Sequence, residues 1–255
     1  MHFRPASTRA VFLVVSLCTA LAACSSREPE FVSEAVRPEP VRPAPAVTPS
    51  RTPQPLPVPP GRAGSALPAS PDPRLMPEGD GLPARSPATY TVRLDTTKGA
   101  ILIDVTRASA PNGADRFYDL VRRGAYDENA FFRAVAGFMV QGGIPGDPRV
   151  SAAWRTKHIP DDPPVEHNTR GTVTFATSGP NQRVNQFFIN LVDNSRLDPM
   201  GFAPIGRVRD MTTVDALHMG YGETPMQARI QREGNAYLRV EFPQLDYIRT
   251  ARVEP

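Results

Sequence analysis

The sequence predicts a mainly β domain, a closed antiparallel barrel with two helices, carried behind a long proline-rich arm. Three observations predict it. Most of the 30 prolines of the 255-residue chain fall before residue 88. Beyond that point, short apolar or alternating runs are separated by Gly/Pro turns, the pattern of strands. Only two stretches there carry helical spacing. Many short strands with so few helices favour closure, since closing a sheet removes its exposed edges.

Residues 1–23 read as an address. Arg4 and Arg9 precede a short apolar stretch from Val11 to Leu21, and small residues then lead to Cys24. The stretch is too short for a permanent span and has the form of a secretory signal. Its ending, Leu21-Ala22-Ala23-Cys24, resembles the bacterial lipobox, which implies cleavage before Cys24, lipidation of that cysteine and anchoring to a membrane. An ordinary signal peptide that leaves Cys24 free is the alternative. Ser25 in place of Asp leans, by the same resemblance, toward an outer membrane and a periplasm-facing protein. Residues 24–88 are rich in Pro, Ala, Arg and Ser. Proline removes backbone donors and biases its neighbours toward extended conformations, so a disordered polyproline-like tether is expected. Its reach is at most on the order of 200 Å at about 3.1 Å per residue.

The domain is expected over 89–255. TYTVRLDTTKGAILIDV alternates on both sides of Thr96–Gly99 and reads as a hairpin with Gly99 in the turn. A helix follows over 110–123, with Ala114, Phe117, Leu120 and Val121 on one face and Gly124 to stop it. Strands are expected at 130–135, 137–141, 172–176, 186–191, 202–207 and 247–253. Asp210 is placed to cap a second helix through 212–217. The segment with Asp161, Asp162 and Glu166 reads as a solvated loop.

Composition excludes several function classes. Cys18 and Cys24 are the only cysteines, which leaves no disulfide framework and no cysteine zinc site in the domain. His2, His158, His167 and His218 are scattered, without metal-ligand spacing, so neither a metal nor another cofactor is expected. The net charge is +3 with arginines dispersed among acids, which argues against a nucleic-acid footprint. A monomer is expected.

The chemistry concentrates in two runs. FFRAVAGFMVQGG (131–143) sets one Arg133 and one Gln141 in an otherwise apolar hairpin. Charged groups seldom enter such a surface without a purpose, although an arginine whose stem packs while its head reaches water would give the same pattern. The second run is RGTVTFATSGPNQRVNQFFINLVDNSRLD (170–198), followed by GFAPIGRVRDMTTVDAL (201–217). In order and spacing, FxRxxxxFMxQGG and GTVxxAxxGPNxxxxQFFINxxDNxxLD resemble the cyclophilin signature, and the likeness extends over about 90–255. The resemblance implies a flattened eight-stranded barrel capped by two helices, with the active site on its outer face. It implies peptidyl-prolyl cis/trans isomerase activity on proline-containing polypeptides. By motif position it makes Arg133 the catalytic arginine and puts Phe138, Met139, Phe188 and Leu197 around the substrate proline. Gln141 bonds the substrate backbone beside Arg133, Ala176 and Thr177 present main-chain groups to the preceding residue, and Gln186 is a further polar neighbour.

The reaction suits these residue types. Amide resonance sets a rotation barrier of about 18–20 kcal/mol, and no bond breaks. The twisted state leaves a more basic imide nitrogen, to which an always-protonated guanidinium can donate. The sequence departs from the family at Phe132, where histidine is common, and at Arg196, where some members carry a tryptophan that contributes to cyclosporin binding. A peptide-binding module or chaperone without turnover is the alternative function.

Overall fold

The computed structural model describes residues 72–75 and 85–255. The expected signal peptide over 1–23, the expected lipidation site Cys24 and the 24–88 arm apart from 72–75 and 85–88 lie outside the described residues. No helix among the described residues is long and apolar enough to cross a membrane.

The domain is mainly β, built on one curled antiparallel sheet. Strands β1 (Thr89–Thr96) and β2 (Gly99–Thr106) form the expected hairpin, paired residue for residue from Thr89↔Thr106 to Thr96↔Gly99. Their alternation buries Val92, Leu94, Ile101 and Ile103 completely. The other strands are β3 (Asn129–Ala130), β4 (Arg133–Val135), β5 (Met139–Gly142), β6 (Thr172–Phe175), β7 (Phe187–Asn190), β8 (Pro204–Val208) and β9 (Tyr247–Val253). The sheet order is β3-β9-β1-β2-β8-β6-β7-β5-β4.

This order corrects the expectation of a closed eight-stranded barrel. The ladder has nine strands and stays open, with β3 and β4 as its two edges. The reason lies in the expected strand over 130–135, which divides at Phe131-Phe132 into two short strands, the first beginning at Asn129. The first part pairs with β9, Asn129 opposite Ile248, and the second with β5, Arg133 opposite Gln141. One run thus supplies both edges, and the sheet curls without a continuous ladder between them. Phe131 and Phe132 are both buried, in two different apolar clusters, which fixes the break.

The expectation of two helices is also corrected. Helix α1 (Pro111–Arg122) lies where periodicity put it, and Phe117 meets Phe187 edge-on with ring centroids 5.8 Å apart. Arg123 caps its end and Gly124, at φ 70°, carries the chain out of it. The second expected helix is one turn, α3 (Thr212–Asp215). Three more were not anticipated: α2 (Pro148–Trp154), α4 (Gln227–Glu233) and α5 (Asn235–Glu241). Helix α2 has start signals, with Asp147 accepting from Arg149 N and Pro148 opening the first turn. Helices α4 and α5 are a turn or two each, on either side of Gly234, and bury only Ile230, Tyr237 and Leu238. So few apolar positions give little periodicity to read.

Asp162 is not merely solvated. It is buried, and its carboxylate accepts from Asn112 N at 3.0 Å and Gly113 N at 2.8 Å, capping α1 from a distant loop. Its neighbour Asp161 pairs with the buried Arg183. Ordered packing also begins upstream of β1. Ser86 is buried and donates both N–H and Oγ–H to Asp115, each at 2.8 Å. Within the stretch read as a tether, Pro73–Leu75 forms a short 3-10 turn, and the Trp154 indole donates to Arg74 O at 2.9 Å.

Candidate functional site

The faces of β5 and β7 separate core from site. Val140, Phe187 and Ile189 point into the main apolar core, while Met139, Gln141 and Phe188 point to the other side. There Met139, Phe188 and Leu197 form a small buried cluster, with Phe138, Ala176 and Phe202 packed around it. Phe202 meets Phe188 edge-on at 5.8 Å. The cluster floors a cavity of about 440 Å³, whose rim carries Arg133, Gln141, Gln186 and Thr177.

Cross-strand pairing brings the polar groups to this rim. Arg133 on β4 lies opposite Gln141 on β5, which lies opposite Phe188 on β7. Arg133 Nη1 donates to Gln141 Oε1 at 3.0 Å, and Gln141 Nε2 donates to Gln186 Oε1 at 2.8 Å. The guanidinium carbon of Arg133 stands 6.0 Å from the Phe138 ring centre, and that of Arg196 stands 4.8 Å from the same ring. Every residue named for the site in the domain therefore lines one cavity: Arg133, Phe138, Met139, Gln141, Ala176, Thr177, Gln186, Phe188 and Leu197. For Ala176 the geometry narrows the expectation. Its N–H already donates to Gln186 O at 2.9 Å, so only its carbonyl can be offered to a bound peptide.

A buried amide network sets the loops around the apolar cluster. Asn168, Asn190 and Asn194 are completely buried. Asn194 Nδ2 donates to Phe138 O at 2.8 Å and to Asn190 Oδ1 at 2.7 Å. Asn190 Nδ2 donates to Thr172 Oγ1 at 2.9 Å, and Asn168 Nδ2 to Phe202 O at 2.7 Å and to Asp198 Oδ1 at 2.8 Å. Burial pushes the Asp198 carboxyl up, but hydrogen bonds from Asn168 and His167 outweigh it and hold the group below its ordinary value. The Asp198 hydrogen bond raises His167 in turn.

Sequence reasoning missed part of the rim. Arg155 and His158 line the cavity beside α2, and Gln227 and Gln231 line it from α4. Glu223, just before α4, reaches Arg133, whose Nε donates to Glu223 Oε1 at 2.6 Å. Residues 223–231 mix polar and apolar side chains with no strand or long-helix pattern, so the sequence carries no signal of this placement. Among the described residues no three His, Cys, Asp or Glu side chains come together as a metal site, and His158 and His167 are not gathered into one.

A cavity floored by Met139, Phe188 and Leu197, with Arg133, Gln141 and Gln186 linked in a row along its rim, suits the binding of a peptide segment. The family comparison agrees. Residues 91–234 match the cyclophilin type peptidyl-prolyl cis-trans isomerase family, and the chain belongs to that family. A Rhizopus delemar peptidyl-prolyl cis-trans isomerase-like 1 is 36% identical over 142 residues, covering 54% of this chain and 85% of the relative. The Gibberella zeae protein of the same name is 36% identical over 113 residues, 43% of this chain and 70% of the relative. A solved cyclophilin type isomerase from Cryptosporidium parvum aligns over 66% of this chain and 98% of its own length, at a TM-score of 0.49 and 21% identity. The chain is a cyclophilin-type peptidyl-prolyl cis-trans isomerase.

Proposed function

We propose that the domain isomerises X-Pro bonds of cell-envelope polypeptides, with Arg133 as its catalytic group and lipidated Cys24 as its anchor. The observation that carries the catalytic part is the position of Arg133, on the lip of an apolar cavity and tied through Nη1 to Gln141. The proline ring enters against Met139, Phe188 and Leu197, with Phe138 as the wall beneath the arginine. Gln141 and Gln186 hold the peptide backbone, and the Ala176 carbonyl and Thr177 meet the residue before proline. As the acyl side turns, the imide nitrogen loses resonance and gains a lone pair. Arg133 then donates to that nitrogen more strongly than it could to the planar amide. A gain of about 10⁵ requires roughly 7 kcal/mol, within reach of one charge-assisted donor combined with orientation and desolvation.

The envelope part of the reading rests on residues 1–24. An n-region with Arg4 and Arg9, a short apolar stretch and Leu-Ala-Ala-Cys support export, cleavage and acylation. The protein then works as a monomer facing the periplasm, most readily from the outer membrane, with the arm as its spacer. Two measurements test the proposal. Full-length protein is expected to accelerate cis/trans exchange of an X-Pro peptide in NMR exchange spectra, and unchanged exchange would refute the catalytic part. Expressed in a bacterial host with labelled palmitate, the chain is expected to take up label, and Cys24→Ser to lose it. Equal labelling of both would refute the anchor.

A further inference from the structure

The guanidinium of Arg133 is held from two sides, and only one holder belongs to the sheet strands. Gln141 takes one N–H of Nη1. On the opposite edge, Glu223 Oε1 accepts from Nε at 2.6 Å and also pairs with Nη2. An arginine carries five N–H donors in a rigid plane. Three are thereby occupied and two remain, one on each terminal nitrogen. The other N–H of Nη1 meets only a weak acceptor, Met139 Sδ at 3.9 Å. The donors left for a substrate are thus fixed in direction by the two acceptors that hold the rest of the plane.

Glu223 is itself placed by the fold. Ala134 N on β4 donates to Gly222 O at 3.0 Å, which ties the turn beneath Glu223 to the strand bearing Arg133. Within the turn, Gly222 N donates to Met219 O and Thr224 N to Tyr221 O. Tyr221 packs edge-on against Phe242 at 5.1 Å and lies 4.8 Å from the His218 ring. The side chain of Glu223 is 61% exposed, so it is not there to fill space. Both contacts to Arg133 use Oε1.

We infer that Glu223 is a positioning residue: it fixes the plane of the Arg133 guanidinium so that the remaining N–H groups point into the proline cavity. The inference rests on the catalytic role proposed for Arg133. A long side chain with one anchor swings about that anchor. A second anchor on the Nε edge removes the swing, and donor direction matters most in the twisted state, where the acceptor is a single lone pair. The effect therefore belongs in kcat rather than in KM.

The test uses full-length protein and its Glu223→Ala, Glu223→Gln and Arg133→Ala variants. It reads kcat and KM on an X-Pro peptide, together with the Arg133 Nε–H resonance by ¹⁵N NMR. Glu223→Ala is expected to lower kcat about tenfold, with KM within roughly twofold. Glu223→Gln keeps the acceptor oxygen and is expected to recover most of that loss. The Nε–H resonance is expected to move and to exchange faster with water in Glu223→Ala, and much less in Glu223→Gln. A wild-type kcat in Glu223→Ala would overturn the inference. A raised kcat would overturn it too, marking Glu223 as a competitor for the arginine, and so would equal losses in both Glu223 variants. If the wild type itself gives no acceleration, the functional reading fails separately. The Nε–H resonance then still decides whether Glu223 holds the guanidinium.

Discussion

At the scale of single residues, the site separates groups that face the cavity from groups that hold them in place. Arg133 is half-buried, and its donors meet Gln141, Glu223 and, more weakly, Met139 Sδ. Behind the apolar wall, Asn168, Asn190 and Asn194 carry no water-facing surface and bond one another and the surrounding main chain. Such a network stabilises only while every member is satisfied. Asn190→Leu leaves Asn194 and Asn168 short of partners in a dry interior. It is expected to cost about 3 kcal/mol in denaturant unfolding and to loosen Phe138 through its carbonyl contact with Asn194. Unchanged stability would mean that the amides are individually dispensable. Arg133 and Gln141 stood out in the sequence as polar groups in an apolar hairpin, while their roles came only from the family resemblance. The asparagines did not stand out, since asparagine reads as a turn residue and only the folded loops bring positions 168, 190 and 194 together.

Elements were legible where they carry a strong period. The β1–β2 hairpin and α1 lie within a residue or two of their expected bounds, because each has a full apolar face against the core. The expected strand over 130–135 is two, since adjacent Phe131 and Phe132 fit a strand pattern but bury into different clusters. Helices α4 and α5 have too few buried positions to announce themselves, yet α4 lines the cavity with Gln227 and Gln231 and the turn before it brings Glu223 to Arg133. The approach of β5 to the segment before β7 rests on a glycine. Gly143 sits at φ 105°, and a Cβ there would stand 2.4 Å from Asn185 O and 2.7 Å from Gln186 Cα. Backbone atoms cannot give way as a flexible side chain does. Gly143→Ala is therefore expected to destabilise by at least about 2 kcal/mol and to displace Gln186 from Gln141. Calorimetry and the amide shifts of residues 185–188 check both. A variant as stable as wild type, with unmoved shifts, would contradict the tight approach.

For the whole molecule, acid stability follows from its ion pairs. Burial pushes Asp115 up, but hydrogen bonds from Arg107 and Ser86 outweigh it and leave the carboxyl below its ordinary value. Asp198 is lowered on balance in the same way, and Asp104 chiefly by Arg209. A carboxylate whose folded pKa lies below its unfolded value, about 3.9 for aspartate, contributes stability that is complete above that value. The contribution is lost as pH falls through the folded pKa. His167 has the opposite sign: raised by Asp198, it contributes below about 6.5 and loses that as pH rises, weakly because it is exposed. The melting temperature is thus expected to hold between about pH 5 and 6.5 and to fall steadily below about pH 4. Circular dichroism melts across that range test it, and a melting temperature that rises from pH 4 to pH 3 would contradict it. Mainly β architecture was legible at this scale. The strand count and the open ladder were not, because both depend on where one run changes partner.

The most direct test of the proposed role of Arg133 is the turnover of an X-Pro peptide by the full-length protein beside its Arg133→Ala and Arg133→Lys variants. The account predicts acceleration by wild type, a fall in kcat of about a hundredfold or more in Arg133→Ala, and little recovery in Arg133→Lys. A lysine carries the charge without the planar fork that Gln141 and Glu223 hold. Wild-type turnover retained in a folded Arg133→Ala variant would contradict the account, and would move the chemistry to the cavity's apolar wall.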